Sequence, residues 1–465
     1  MDSSEALKKM TEEKAAATRT DEKRAAEQKA GGRLTARERI RGLFDEASFV
    51  EFDAFKRCGV VTGFGTVQGR PAYCFAQDVT DRGGAMCVKQ GEKILNILTK
   101  ARTTGAPVIM LLDSNGLLLE EGAAALNAYA DVMSALSRLS GVCPLIACVM
   151  GSCRGIAAMM ARIADITVQV KNSTLALSSL LVMQKGADKD KNEQALFGAD
   201  TMAAQGTVAL KAESEAEAFG QIGELLALLP SCNMECTSVE DEDDLNREIP
   251  DAASLSGKAL AEALADCGRG IELNASFGAV SHTLLCRLGG RTCGIISQDG
   301  GKMGVADMEK AARFIRFCDC YQLPVITLCN TDGIEPPSCD TQGETIRAAA
   351  QLLYAYAEAT CVKLSVVCGS AIGNAYAVMG GGSMADVSYV WPAARIAAVS
   401  AASYEKTIGK ADYDERFGAM NTARQGLADD CVDPKDTRKL LINAMELMAT
   451  KHDVNLPRKH DNMPL

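Results

Sequence analysis

The stretch "VMGSCRGIAAMMARIAD" (residues 149–165) runs from apolar residues through two glycines into a segment rich in Ala and Met. A glycine turn that feeds a helix N-terminus leaves backbone N–H groups without intrahelical partners, at the positive end of the helix dipole. Such a turn can hold a phosphate, a carboxylate or a developing oxyanion. A Walker loop is excluded, because no Gly-Lys-Ser/Thr follows. The glycines at 63 and 65 begin a dinucleotide-like pattern, but the third falls at 69 and a strand follows where that motif needs a helix. Side chains for acid–base work are scarce. His282, His452 and His460 all lie outside this loop, two of them in a polar C-terminal tail, which argues against a Ser-His-Asp triad or a histidine metal site. Glu120 and Glu121 follow "DSNGLLL" and read first as charge partners of a helix start, second as acid–base groups. Chemistry that needs only preorganised N–H donors fits best.

The loop has a counterpart. "VKLSVVCGSAIGNAYAVMGGGSMAD" (362–386) matches "CPLIACVMGSCRGIAAMMARIAD" (143–165), and "LPVITLCNTDG" (323–333) matches "APVIMLLDSNG" (106–116). Helical segments "YADVMSALSRLSG" and "QLLYAYAEATC" lie between the members of each pair. The chain thus carries two copies of one α/β unit offset by about 217 residues, each with a buried strand that delivers glycines to a helix of small residues. Paired anion or oxyanion sites follow from that pairing.

Around these copies, "SEALKKMTEEKAAATRTDEKRAAEQKAGG" predicts one solvated helix that stops at Gly31-Gly32. "TARERIRGLFD" predicts a short helix with a Thr35/Glu38 capping box, read as part of a surface arm. "GVVTGFGTVQGRPAYCFAQD" predicts a hairpin whose in-strand glycines permit close backbone approach. The acidic, turn-rich "CTSVEDEDDLNREIPDAAS" reads as a linker, giving a helical arm over 1–30 and domains over 31–235 and 236–465.

A net charge of −11 over 465 residues, with no basic face, excludes a nucleic-acid partner. The 18 cysteines are scattered through apolar runs with no signal peptide ahead of them, so they read as small hydrophobes of a reducing cytoplasm. The close pairs Cys232/Cys236 and Cys318/Cys320 are read as incidental thiols, with no metal site. No apolar run reaches membrane-spanning length.

Several segments together resemble one family: "GGRLTARERIRGLFDEASFVEFDAF", "VVTGFGTVQGRPAYCFAQDVTDRGG", "DSNGLLLEEG", "AARFIRFCDCYQLPVITL", "LLYAYAEATCVKLSVV" and "YVWPAARIAAVSA". They are similar to carboxyltransferase subunits of biotin-dependent acyl-CoA carboxylases and decarboxylases, in order from about residue 30 to about 405. The resemblance implies two duplicated crotonase-like ββα-spiral domains, with the N-domain of one subunit facing the C-domain of another in a homo-oligomer, dimer or hexamer. Acyl-CoA, a coenzyme A thioester, would bind the first domain and biotin would enter from the second. Two backbone oxyanion holes would stabilise, in turn, a biotin enolate and a thioester enolate. Carried over by position, the acyl-CoA hole uses the amides of Gly155 and Ile156, and the biotin hole those of Asn374 and Ala375. Asn115, Gly116, Gly373, Tyr376 and Ala377 fall where the family binds substrate. The chain departs from the family pattern at Ile156, Asn374, Asn115, Leu117, Asp332-Gly333-Ile334 and Arg395. A second expectation, motivated by Ile156 and Asn374, is a divergent non-catalytic paralogue that assembles such a complex. No biotinylation motif occurs, "LVMQKG" at 181–186 being the nearest, and no ATP-grasp loop is present. Biotin is therefore expected on a separate carrier protein, served by a biotin carboxylase or a membrane decarboxylase subunit.

Overall fold

Where one N-terminal helix was expected there are two, α1 (Ser3–Ala17) and α2 (Glu22–Ala30). Asp21 explains the break, because its side chain accepts from the Arg24 amide (3.1 Å) and caps α2 more favourably than Thr-Arg-Thr-Asp continues a helix. α1 buries no residue. α2 is tied down by Gln28, buried and bonded to the Leu34 carbonyl (2.7 Å), and by Arg24 on the Thr80 carbonyl (3.1 Å). The Thr35/Glu38 capping box forms and opens α3 (Ala36–Leu43). α3 is no surface arm, however, since it buries Arg39, Ile40 and Leu43.

The computed structural model describes residues 2–178, 192–237, 239, 243–379, 381, 382, 384–454, 457, 460 and 462–464; "LVMQKG" lies outside them. Two compact units divide the chain, Met1–Glu235 and Cys236–Leu465. Unit 1 continues with β1 (Val50–Phe52), β2 (Val60–Val67), β3 (Arg70–Gln77), α4 (Val88–Thr104), β4 (Val108–Ser114), α5 (Ala123–Leu139) and β5 (Leu145–Arg154). It ends with α6 (Ile156–Ile163), β6 (Ile166–Val170), β7 (Thr174–Ala176), α7 (Glu193–Phe197), α8 (Ala199–Ala204), β8 (Leu210–Ala212) and α9 (Glu215–Leu228). Its sheet runs β1-β2-β3-β4-β5-β6-β8, antiparallel through β3 and parallel beyond, with β7 paired to the far end of β5. β4 is buried at every position, as a parallel strand covered on both faces must be. The hairpin turns through Gln68 and Gly69, both at positive φ, and Gly63 passes so close to Val50 that a Cβ there would lie 2.3 Å from its carbonyl oxygen.

Unit 2 repeats this plan. Its elements are α10 (Gly257–Leu264), β9 (Gly270–Leu273), β10 (Ser281–Leu288), β11 (Arg291–Gln298), β12 (Lys302–Met303), α11 (Val305–Cys320), β13 (Val325–Thr331), β14 (Gly333–Ile334) and α12 (Gln342–Glu358). There follow β15 (Lys363–Ile372), α13 (Asn374–Val378), β16 (Val387–Val390), β17 (Arg395–Ala397), α14 (Ala401–Ile408), α15 (Tyr413–Phe417), α16 (Ala419–Arg424), β18 (Asp430–Cys431) and α17 (Thr437–Leu447). The order β9-β10-β11-β13-β15-β16-β18, with β17 on β15, reproduces unit 1 strand for strand. The acidic stretch is more than a linker: Arg247 reaches the Ala263 and Ala265 carbonyls, and Ile249 is buried.

In unit 1 one buried cation joins the elements. Arg39 pairs with Asp113 at the end of β4 (2.9 Å) and with Glu215 at the start of α9 (2.8 Å), and it donates to the Met150 carbonyl on β5 (3.0 Å). Replacing it takes the close cationic partner from two buried carboxylates, leaving Asp113 to Arg33 at 3.8 Å and Glu215 to the Leu34 amide at 3.3 Å. Arg39→Leu should lower stability by about 3–5 kcal/mol, read as an earlier first transition in calorimetry; a loss under about 1 kcal/mol would contradict the assignment.

In unit 2, His282 bridges Glu272 (2.7 Å) on β9 and Asp299 (2.8 Å) beyond β11, while Lys258 also pairs with Glu272 (3.0 Å). The hydrogen bond to Glu272 raises the imidazole above its ordinary value; burial opposes it and Asp299 adds to it. Burial alone would raise Glu272, but His282 and Lys258 outweigh it and hold the carboxyl at about 2. Because the folded histidine binds its proton more tightly, its contribution is complete below about pH 6.5 and is lost as pH rises through the raised value. His282→Val, the residue at the matched position Val61 of unit 1, should flatten the alkaline fall of melting temperature; an unchanged slope would rule out this source.

Candidate active site

β5 ends at Arg154, and the chain turns at Gly155 (φ 64, ψ −133) into α6; β15 ends at Ile372 and turns at Gly373 (φ 64, ψ −144) into α13. Only glycine adopts this backbone without strain. In both copies the glycine amide is committed, Gly155 to the Ala176 carbonyl on β7 (3.0 Å) and Gly373 to the Ala397 carbonyl on β17 (2.7 Å). The next two amides, of Ile156 and Ala157 in one copy and of Asn374 and Ala375 in the other, bond to no group among the described residues. The third turns back, Ala158 to Gly155 (3.1 Å) and Tyr376 to Gly373 (3.2 Å).

Gly155 N–H, one of the two expected donors, bonds here to the Ala176 carbonyl, and the pair in unit 1 without a partner among the described residues is Ile156 and Ala157, in register with Asn374 and Ala375. The repeat already held that signal, since aligning Gly155 with Gly373 sets Ile156-Ala157 opposite Asn374-Ala375. The Ile156 side chain packs on the core of unit 1, and Asn374 is exposed.

The upstream loops join these turns. A Cβ on Gly116 would lie 3.5 Å from the Arg154 carbonyl oxygen, and one on Gly333 would lie 3.6 Å from that of Ile372. Each loop is locked the same way. Ser114 Oγ donates to the Gly84 carbonyl (2.8 Å) and accepts from Gly116 N–H (3.1 Å), and Thr331 Oγ1 donates to the Gly301 carbonyl (3.0 Å) and accepts from Gly333 N–H (3.3 Å). The buried Tyr129 hydroxyl donates to the Gly116 carbonyl (2.9 Å), and burial pushes its phenol up, which keeps it a neutral donor. Exposed Asn115 is fixed by its amide on the Gly83 carbonyl (3.0 Å). In unit 2, the Tyr376 hydroxyl accepts from Gly382 N–H (3.2 Å), and Ala377 is exposed on α13.

Glu121 caps a helix other than the expected one, accepting from Val88 N–H at the start of α4 (2.7 Å). No cluster of three metal ligands exists among the described residues. The cysteines are free thiols and eleven of them are buried; burial pushes Cys148 and Cys329 up to about 12, so they behave as hydrophobes. A cavity of 480 Å³ runs along α6, lined by Ala158, Met159, Leu175, Leu177, Met202 and Thr207. No helix among the described residues is long and apolar enough to cross a membrane. What each copy offers is therefore a fixed pair of N–H donors for an oxygen that gains negative charge.

Comparison with known proteins agrees in fold and sequence. The chain matches the carboxyl transferase domain over residues 27–463. It is 34% identical to the methylmalonyl-CoA decarboxylase subunit alpha of Veillonella parvula and 34% identical to the propionyl-CoA carboxylase beta chain of Roseobacter denitrificans, with 96% of each chain covered in both cases. It is 32% identical to the methylmalonyl-CoA carboxyltransferase 12S subunit of Propionibacterium freudenreichii subsp. shermanii, covering 95% of this chain and 94% of that one. The solved transcarboxylase 12S structure, a hexamer with hydrolysed methylmalonyl-coenzyme A bound, superposes with a TM-score of 0.93 at 29% identity, covering 99% of this chain and 98% of that one. The two units are thus crotonase-like α/β domains. The chain belongs to the carboxyl transferase family, the carboxyltransferase component of biotin-dependent acyl-CoA carboxylases and decarboxylases.

Proposed function

We propose that this chain moves a carboxyl group between carrier-bound biotin and the α-carbon of an acyl-CoA of the propionyl or methylmalonyl class, with unit 1 as the acyl-CoA side and unit 2 as the biotin side. The observation that carries this reading is the paired free amides, present once in each copy behind the same strained glycine. Carboxybiotin, when bound, supplies the carboxyl group. The ureido oxygen is an acceptor, which suits the donor-only pair of Asn374 and Ala375. Ile156 and Ala157 N–H hold the thioester oxygen as its negative charge grows while the α-proton leaves, a proton that the decarboxylated biotin would accept, so the enolate costs less to form. The apolar cavity beside α6 suits an acyl or pantetheine chain.

The partners that complete the reaction are a biotin carboxyl carrier protein and either a biotin carboxylase or a membrane decarboxylase subunit. The chain itself assembles as a dimer or hexamer, and its buried thiols suit a reducing cytoplasm.

Purified protein given carboxylated biotin carrier, or free biotin, and a panel of malonyl-, methylmalonyl- and glutaconyl-CoA should exchange carboxyl groups with at least one thioester. No exchange with any of them would overturn the reading. The amides can be deleted singly, because proline is tolerated at the first helical position. Asn374→Pro should lower kcat about 10²- to 10³-fold, whereas Asn374→Ala, which keeps the N–H, should stay within about fivefold of wild type. Equal losses would mean that the side chain, and not the amide, matters.

A further inference from the structure

The side chain just before each strained glycine reaches a helix distant in the chain, and the two copies make that contact differently. In unit 1, Arg154 pairs with Glu193, the first residue of α7 (2.5 Å), with both side chains about one third exposed. In unit 2, the matched Ile372 sits in a small buried cluster with Ala397, Tyr404 and Tyr413, and Phe417 packs against it. The helices correspond: "EQALFGA" begins at Glu193 and "YDERFGA" at Tyr413, each a five-residue helix running into Gly-Ala. α7 is held at its other positions by Gln194 on the Lys171 carbonyl (2.5 Å) and by the Phe197 carbonyl, which accepts from Gln169 (3.2 Å). Its first turn reaches the glycine loop through Glu193.

We propose that Arg154 and Glu193 are positioning residues for unit 1, an ion pair that fixes the backbone entering Gly155 and so the aim of the Ile156 and Ala157 amides, the task that an apolar contact performs in unit 2. This rests on the proposed role of those amides. An ion pair one third exposed is weaker and more sensitive to salt than buried rings, so the acyl-CoA side is the more adjustable of the two. The pair lies one residue from the kink, and a displacement well under 1 Å is transmitted directly to the donors.

The test compares Arg154→Met, Glu193→Gln and the exchanged pair Arg154→Glu/Glu193→Arg in the full-length protein. Hydrogen–deuterium exchange over residues 155–160 should quicken in both single variants and return toward wild type in the exchanged pair. With the reactive thioester, kcat should fall about tenfold in the single variants while KM moves less than about twofold, and the exchanged pair should recover most of kcat. Unchanged exchange in the single variants overturns the proposal, whatever the activity. So does a rise in KM that the exchanged pair fails to restore, because Arg154 would then bind substrate itself. If exchange quickens and recovers as expected but no thioester reacts in any protein, the positioning role stands and the carboxyl-transfer reading falls.

Discussion

Everything in the two sites depends on a single backbone constraint, a glycine at φ 64 that hands its own amide sideways to a short strand and leaves the next two pointing free. A residue with a Cβ would strain that turn even though open space surrounds Gly155. The bond to β7 or β17 prevents the glycine amide from competing for ligand, and the helix that begins immediately cannot use the following N–H groups. Donors made this way need no side chain, no titration and no metal. Such donors also leave the side chains at Ile156 and Asn374 unconstrained, since any residue but proline keeps the amide.

The duplication preserved backbone and released side chains. Gln77 and Gln298 each accept from the amide at the end of the adjacent parallel strand, Asp113 and Asn330 respectively, both at 3.2 Å. A Cβ on Gly151 would meet the Asp113 carboxylate at 2.2 Å, and one on Gly369 would meet the Asn330 amide oxygen at 2.3 Å. The frame is therefore common, but Asp113 carries a charge that Asn330 lacks, and Arg39 exists to neutralise it. The outer supports diverge likewise, ionic at Arg154 and aromatic at Ile372. A duplicated fold given two substrates is expected to differ at these supporting contacts and not at the donors themselves.

Much of this was legible in the sequence because the signals are local or repeated. Apolar runs bounded by turn residues gave β4, β5 and their counterparts, and the Thr35/Glu38 spacing gave a cap. What sequence missed was long-range. Nothing near Arg39 says that a charged residue in "TARERIR" lies wholly buried, because its partners Asp113 and Glu215 are distant in the chain. The bond from Gly155 N–H to the Ala176 carbonyl was not legible either, because periodicity cannot pair the short strand that carries Ala176. The break between α1 and α2 was local and readable, since Asp21 is a strong cap, but the surrounding Ala, Lys and Glu hid it.

The central claim is that two backbone amides of unit 1 polarise a thioester oxygen. Isotope-edited infrared spectroscopy of an acyl-CoA labelled with ¹³C at its carbonyl tests it directly. Bound to the protein, the carbonyl band should shift to lower frequency than in water, and the shift should largely disappear in Ile156→Pro while Ile156→Val retains it. A bound band at the solution frequency, or a shift that survives Ile156→Pro in full, would contradict the account.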